Sequence, residues 1–511
     1  MAHGNRTGSA GIATNALPNS DAGRRGTPGG DGTTEAVDGI HGETEGPTLI
    51  DTVIAWVRSR VEARLLSRGE RLPSLRQMAH MLKVSKATVV TAYDRMLAQD
   101  LIESRPGAGF YVLGPAPVRT LHTEAPDLAR EVDPLWVTRQ SLEAAESSLK
   151  PGCGWMPASW MPEEAIRRGL RALSRARTET LSEYGVPLGL AALRHQLSQR
   201  LAKNGVPAAP EQIILTDSGS HSLDLLCRYL IGPGDTVLVD DPCYFNFQAL
   251  LRVHRVRVLG VPMTADGPDL EVFTRLVAQE RPRLYLTNSA MHNPTGAILT
   301  PVRAHQVLNA AHAHGVTIVE DDIFGDLEHR AAPRYAAFDA LQQVIVLGSF
   351  SKTLSSAARC GYIAIRADLV DALVDLKLAT TFGNGGVSSA LVAQLLQDGT
   401  YRRYLDSLRG RLADAMGETL RRLERAGLTP WLRPEAGMFV WARLPEGLDA
   451  AQVARRALDR DIVLAPGDVF SVGRRSPDYM RFNVSQSLHP AVYDGLRAAI
   501  DDVAARTAHS R

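Results

Sequence analysis

A short apolar run, 344–347 (VIVL), reads as a buried strand and delivers the segment GSFSKTL (348–354) at its end, so Lys352 stands at a strand terminus among small and hydroxylated neighbours. Lysines are ordinarily solvated surface groups. This one is set apart by its company elsewhere in the chain: Ser220 in SGSHS, Tyr244 in DDPCY, Asn293 in NPTG, Asp321 in VEDD, Arg359 seven residues past Lys352 itself, and Arg481 in RFNVS. Several of these also close apolar runs. ILTDSGSHSLDLL reads as a strand, a Gly/Ser turn and a helix start; TVLVDD as a strand ending at Asp240; LYLTN as a strand ahead of Asn293; GVTIVEDD as a buried strand ending in Glu320, Asp321 and Asp322. At the turn, Gly219, Ser220 and His221 present N–H groups at a helix N-terminus, where a dianionic phosphate is favoured.

The chain has 511 residues, room for about three domains of ~150 residues each. No apolar run approaches the ~18 residues of a membrane-spanning helix, so no membrane partner is expected. Cys153, Cys227, Cys243 and Cys360 are scattered without a CxxC pair, which suggests neither a metal site nor a disulfide framework and fits a reducing cytoplasm. Net charge is +1 for the whole chain, yet between Pro47 and Leu113 ten Lys/Arg stand against six Asp/Glu. A basic excess at the front is compatible with phosphate contacts.

Residues 1–46 lack aromatic residues and are rich in Gly, Ser, Thr and Asn, a composition expected to stay disordered; no secretory signal is recognisable in it. From Leu49 apolar residues recur at helical spacing (Leu49, Ile50, Val53, Ile54, Val57, Val61, Leu65). A second helix is expected after Ser74, with Gln77 completing a capping box, and a third after Ser85, burying Val89, Tyr93 and Met96. The segment 101–113 alternates around a Gly-rich turn and reads as a two-stranded wing.

With its LPSLR, SKATV and GAGFYV segments in order, the stretch 47–113 resembles the winged helix-turn-helix of the GntR family of bacterial regulators. The resemblance implies double-stranded promoter DNA as a partner, contacted by Arg76, Ser85, Lys86 and Thr88 and, from the wing, Arg105 and Gly107. Physically, Ser85 and Lys86 at a helix N-terminus suit phosphate, and Thr88 suits a base edge. A lysine at position 86, where the family usually has arginine, keeps phosphate contact and weakens bidentate guanine readout.

Residues 114–148, with prolines at 115, 117, 126 and 134, read as a linker with room for one helical patch. From about Tyr184 the motifs above, in this order, resemble the fold type I pyridoxal-phosphate enzymes of the aspartate aminotransferase superfamily. That implies an α/β fold, a mainly parallel sheet with flanking helices, over 149–511, with a small C-terminal α+β domain at about 400–511. It implies pyridoxal 5′-phosphate joined to Lys352 as a Schiff base, Asp321 against the pyridine nitrogen with Asp322 the alternative by one residue, and Tyr244 stacked on the ring. Asn293 then bonds the phenolic oxygen, while Gly219, Ser220, His221, Ser349, Ser351 and Arg359 surround the phosphate, and Arg481 clamps a substrate or effector carboxylate. A carboxylate at Asp321 is what keeps a pyridine nitrogen protonated. Many relatives have a tyrosine where Phe324 stands, so one donor to the phenolic oxygen is absent.

A winged helix linked to such a domain resembles the MocR subfamily of GntR regulators. The reading is a cytoplasmic, homodimeric, DNA-binding transcription regulator that senses an amino acid or amine through the Lys352 Schiff base. The alternative is a working aminotransferase with a residual winged helix, and residual transaminase activity is compatible with both.

Overall fold

The computed structural model describes residues 48–62, 66, 69–113, 135–176, 181–397 and 399–509. The expected tail and residues 114–134 of the expected linker lie outside the described residues. Those described form two compact units, 48–113 and 135–509.

The first unit is three helices and a hairpin: α1 (Leu49–Glu62), α2 (Leu75–Leu82), α3 (Lys86–Ala98), β1 (Ile102–Arg105) and β2 (Gly109–Val112). Helix α2 starts where the capping box is expected: Gln77 N–H donates to Ser74 Oγ at 3.4 Å, and the Gln77 side chain accepts the Ser74 N–H at 2.9 Å. The apolar stripes of the helices and the inward residues of the hairpin meet in one cluster that includes Val53, Val57, Met78, Val89, Tyr93, Met96, Ile102 and Val112. The strands pair antiparallel with Ile102 opposite Val112, around a turn in which Gly107 takes a left-handed φ of +73°.

The second unit is built on an eight-stranded sheet in the order β3-β10-β9-β8-β7-β4-β5-β6. Its strands are β3 (Ile213–Thr216), β4 (Thr236–Asp241), β5 (Arg257–Thr264), β6 (Gly267–Pro268), β7 (Leu284–Thr287), β8 (Thr317–Asp321), β9 (Val344–Ser349) and β10 (Gly361–Ala364). The neighbours from β5 through β4, β7 and β8 to β9 are parallel, while β10, β3 and β6 pair antiparallel. Both faces are covered, which is why the strands read as unbroken apolar runs. Along β9, Val344 and Val346 enter one core cluster, and Ile345 and Leu347 the other. The parallel strands therefore end together, and β8, β9, β4 and β7 deliver Asp321, the Lys352 turn, Asp241 and the run to Asn293 at one edge.

A smaller antiparallel sheet follows, β11 (Thr429–Pro430), β12 (Phe439–Arg443), β13 (Ala465–Pro466) and β14 (Tyr479–Asn483), in the order β11-β12-β14-β13. The sequence from Asp368 to Leu396 reads as a long helical stretch, but the structure breaks it in two, Val370–Thr381 and Gly386–Gln397, because Phe382 and Gly383 take left-handed φ values of +59° and +146°. Residues 135–148, expected within the linker, contain α4 (Trp136–Glu143), whose Trp136 and Val137 join the second unit's core.

Behind the end of β8 lies a buried ion cluster. Arg334, 1% exposed, pairs with Asp322 at 3.0 Å and Glu328 at 2.6 Å. Burial raises the Asp322 and Glu328 carboxyls, the latter to about 7. Removing the guanidinium leaves two desolvated carboxylates unpaired, so Arg334→Met is expected to cost about 3–5 kcal/mol at pH 8. The loss should shrink towards pH 6, because the folded variant then takes up protons on both carboxyls; urea unfolding at the two pH values checks both the size and the sign.

Candidate cofactor site and nucleic-acid interface

The strand ends of the second unit surround a cavity of about 500 Å³ lined by, among others, Gly219, Ser220, Tyr244, Asn293, Asp321, Phe324, Ser349, Ser351, Lys352 and Arg359. Lys352 sits in the turn after β9, and its Nζ donates to Gly154 O at 2.7 Å. Burial pushes its amine down to about 8, with the Arg481 cation adding to the shift. Asp321 closes β8 at 7% exposure and accepts the Ile323 N–H at 3.1 Å. Burial raises its carboxyl to about 7, so a cation brought against it decides its charge near neutral pH. Asp322, the neighbour left open from sequence, is engaged by Arg334 in the ion cluster behind the strand.

The smaller sheet supplies Arg481. Its side chain is wholly buried in an aromatic box, with the guanidinium carbon 4.3 Å from the Phe439 ring centre and 4.7 Å from that of Phe470. Nη1 donates to Asn293 Oδ1 at 2.9 Å and Nη2 to Gly152 O at 2.8 Å, while Nε is buried without a partner. Desolvation lowers the guanidinium to about 10. Among the described residues no carboxylate pairs with it, and a buried cation held only by neutral acceptors is costly unless an anion visits. Because Asn293 Oδ1 is taken, its amide N–H₂ is left to donate elsewhere.

The phosphate end is built from one loop and one turn. Helix Gly219–Leu230 is capped by Ser218, whose Oγ accepts the His221 N–H at 3.0 Å. The His221 N–H is therefore spent within the loop, its Nδ1 accepts the Asp217 N–H at 3.2 Å, and the free N–H groups at this terminus are those of Gly219 and Ser220. Beside this terminus, where a Cβ on Gly219 would lie 3.6 Å from Ser349 Cβ, the Ser349 and Ser351 hydroxyls lie 2.9 Å apart, and Arg359 is exposed at the rim. Tyr244 also lines the cavity, and burial pushes its phenol up to about 12. Phe324 packs edge-on against Phe439 at 5.5 Å and offers no donor.

Sequence reasoning missed the segment 150–155. Gly152 and Gly154 give their carbonyls to Arg481 and Lys352, and Asn483 Nδ2 holds Cys153 O and Trp155 O at 3.1 and 2.8 Å. Two glycines and a proline mark KPGCGW as a loop. Nothing in it says which strand it lies beside.

Residues 157–500 match the family described as Aminotransferase class I and II, two thirds of the chain. The chain belongs to the aminotransferase class I and II family. Residues 49–112 match the bacterial regulatory proteins of the gntR family, so this aminotransferase-like chain carries a GntR helix-turn-helix in the MocR-like arrangement expected from its sequence. It is 29% identical over 443 residues to YdcR, an HTH-type transcriptional regulator of Escherichia coli K12, covering 84% of this chain and 93% of YdcR. It is 28% identical over 368 residues to the 2-aminoadipate transaminase of Thermus thermophilus, covering 70% and 91%. Among solved structures it is similar to LysN, the α-aminoadipate aminotransferase of that organism in complex with N-(5′-phosphopyridoxyl)-L-leucine, with a TM-score of 0.66 and 25% identity over 72% of this chain and 95% of LysN. The donor set fits the family's cofactor: anion donors at one end of the cavity, a carboxyl at the end of β8, an amine of lowered basicity and a buried guanidinium. Pyridoxal 5′-phosphate is the cofactor of this domain.

In the winged helix, Arg76 and Lys86 are exposed. Ser85 caps α3: its Oγ accepts the Thr88 N–H at 3.0 Å and lies 2.7 Å from Thr88 Oγ1. Both hydroxyls are thus engaged with each other in this structure. Arg105 is paired with Glu103 at 2.5 Å and stacked on Tyr111, so it must exchange a carboxylate to reach a phosphate. Gly107 supplies the backbone conformation of the wing turn, with open space around it.

Two outcomes follow from this geometry. In cofactor-free protein the Lys352 amine should become nucleophilic with a midpoint near pH 8, so the rate of pyridoxal 5′-phosphate capture, followed by absorbance, should climb between pH 7 and 9 and vanish in Lys352→Ala. Ser85→Ala should cost the winged helix about 1 kcal/mol through loss of the N-cap, read by thermal unfolding of the full chain.

Proposed function

We propose that the protein is a transcription regulator, cytoplasmic and homodimeric, whose winged helix binds promoter DNA and whose aminotransferase-like unit detects an amino acid or amine. The domain plan proposed is a tail (1–46), the winged helix (47–113), a linker from 114, and the cofactor unit (149–511, with its small subdomain from about 400), whose core also takes in α4 from the end of the expected linker. The observation that carries the reading is Arg481, a fully buried guanidinium without a carboxylate partner among the described residues, near the lysine amine. A site of that build suits a small molecule with a carboxylate and an amine.

In this reading Lys352 holds the cofactor covalently, and Gly219 and Ser220 N–H groups, Ser349, Ser351 and Arg359 hold its phosphate. His221 supports the loop from behind. Asp321 keeps the ring nitrogen protonated, Tyr244 shields one ring face from water, and Asn293 donates to the ring oxygen. When bound, the cofactor supplies an electrophilic carbon that exchanges one amine for another. Arg481 would donate to the ligand's carboxylate in place of Gly152 O, and the Lys352 amine would serve as a base beside the ligand. Phe324, which cannot donate, favours sensing over turnover.

In the winged helix Lys86, Arg76 and, after parting from Glu103, Arg105 contact phosphates; Thr88 and Ser85 approach the groove as α3 enters it, and Gly107 lets the wing turn meet the backbone. Ligand binding alters DNA affinity to the extent that the two ligation states differ in domain arrangement.

The test is a visible spectrum of the cofactor-loaded protein titrated with amino acids and amines, beside footprinting of DNA near its gene. A compound should shift the band and alter the footprint without turnover of a keto acid; repeated turnover with an unaltered footprint would favour the aminotransferase alternative. Lys86→Ala should weaken binding to all sequences alike and lower the magnitude of the salt slope by about 1.

A further inference from the structure

With those roles given to Lys352, Arg359, Asp321 and Arg481, one cation of the cavity has none. Lys150 lines the cavity beside Gly154 and Trp155 and is half-buried. Its Nζ donates to Ala144 O at 3.2 Å, and among the described residues no carboxylate pairs with it. Ala144 is the C-cap of α4, so this bond satisfies a carbonyl that a helix end leaves free. A neutral carbonyl is nevertheless the weaker partner for a half-buried ammonium, and an anion displaces it readily.

The backbone of Lys150 belongs to the loop that holds Arg481 and Lys352. Cys153 N–H donates to Lys150 O at 3.0 Å, closing a turn, and the same segment gives Gly152 O to Arg481 and Gly154 O to Lys352. A Cβ on Gly154 would lie 3.8 Å from Lys352 Nζ and 3.9 Å from Arg481 Nη2, so the two cations flank this stretch of chain. Of the cations that line the cavity, Lys352 and Arg359 have the roles given above, and Lys150 is the one with no anion assigned to it.

Resting on the sensing role proposed above, we infer that the ligands preferred by this site are amino acids with a second carboxylate, and that Lys150 is the residue that selects them. Leu142 and Trp155, which also line the cavity, border the room for the methylene chain between the two acids. Pairing with that second acid takes Lys150 from Ala144 O and so alters how the end of α4 is held.

The experiment uses the full, cofactor-loaded chain and reads both the visible band and the melting temperature on titration with L-glutamate and L-2-aminoadipate against L-glutamine and L-norleucine. The wild type should bind each acid about tenfold or more tightly than its uncharged counterpart, a gap of ~1.4 kcal/mol per tenfold. Lys150→Met should bring that ratio close to one, Lys150→Arg should keep it, and Lys150→Glu should invert it. Equal weakening of acids and uncharged ligands in Lys150→Met would mean that the lysine serves α4 alone, and loss of affinity for pyridoxal 5′-phosphate would assign it to the phosphate; either result overturns the inference. If all four compounds act alike on the wild type, this inference fails and the sensing role stands. If none shifts the band or the melting temperature, the sensing role fails and takes the inference with it.

Discussion

A guanidinium taken wholly out of water, with no carboxylate of its own among the described residues, is the constraint on which the second unit depends. Arg481 is held by Asn293 Oδ1, by Gly152 O and by the faces of Phe439 and Phe470. Each partner comes from a different part of the chain: the run after β7, the loop that follows α4, β12 and the turn after β13. Keeping one cation solvated by neutral groups therefore requires the larger sheet, the smaller sheet and that loop to be assembled together. The same requirement explains Asn483, two residues further along β14, which donates to Cys153 O and Trp155 O and keeps the loop in place.

The remaining charges are tuned by that desolvation. Lys352 loses basicity because it is buried beside Arg481, and Asp321 gains it because it is buried at the end of β8. An amine lowered to about 8 and a carboxyl raised to about 7 can change charge near neutral pH as a partner arrives. Asp322, one residue on, is denied that freedom by Arg334. Strand alternation puts adjacent side chains on opposite faces, so two neighbouring aspartates acquire different surroundings from a single strand end.

Much of this was legible from residue order. The unbroken apolar runs announced strands buried on both faces, and the polar clusters at their ends announced the site. The capping box at Ser74 and Gln77, the stripes around Tyr93 and Met96, and the Gly-rich wing announced the first unit. Other features escaped. The helical pattern after residue 368 runs through Phe382 and Gly383, where the backbone turns left-handed and the helix stops. His221 looked like a phosphate donor, whereas its N–H is consumed by the Ser218 cap. Ser85 and Thr88 looked free for DNA and are bonded to each other in the structure.

By itself the sequence determined which groups are present and where each stands on its own element, because burial of a strand or helix face leaves a periodic trace in residue type. It likewise determined that a winged helix and an aminotransferase-like body share one chain. Only the tertiary structure decided that the loop 150–155 closes the cavity. Its contacts are made by backbone carbonyls to side chains as much as 331 residues away, and every residue carries a carbonyl, so such bonds leave no mark on the order of amino acids.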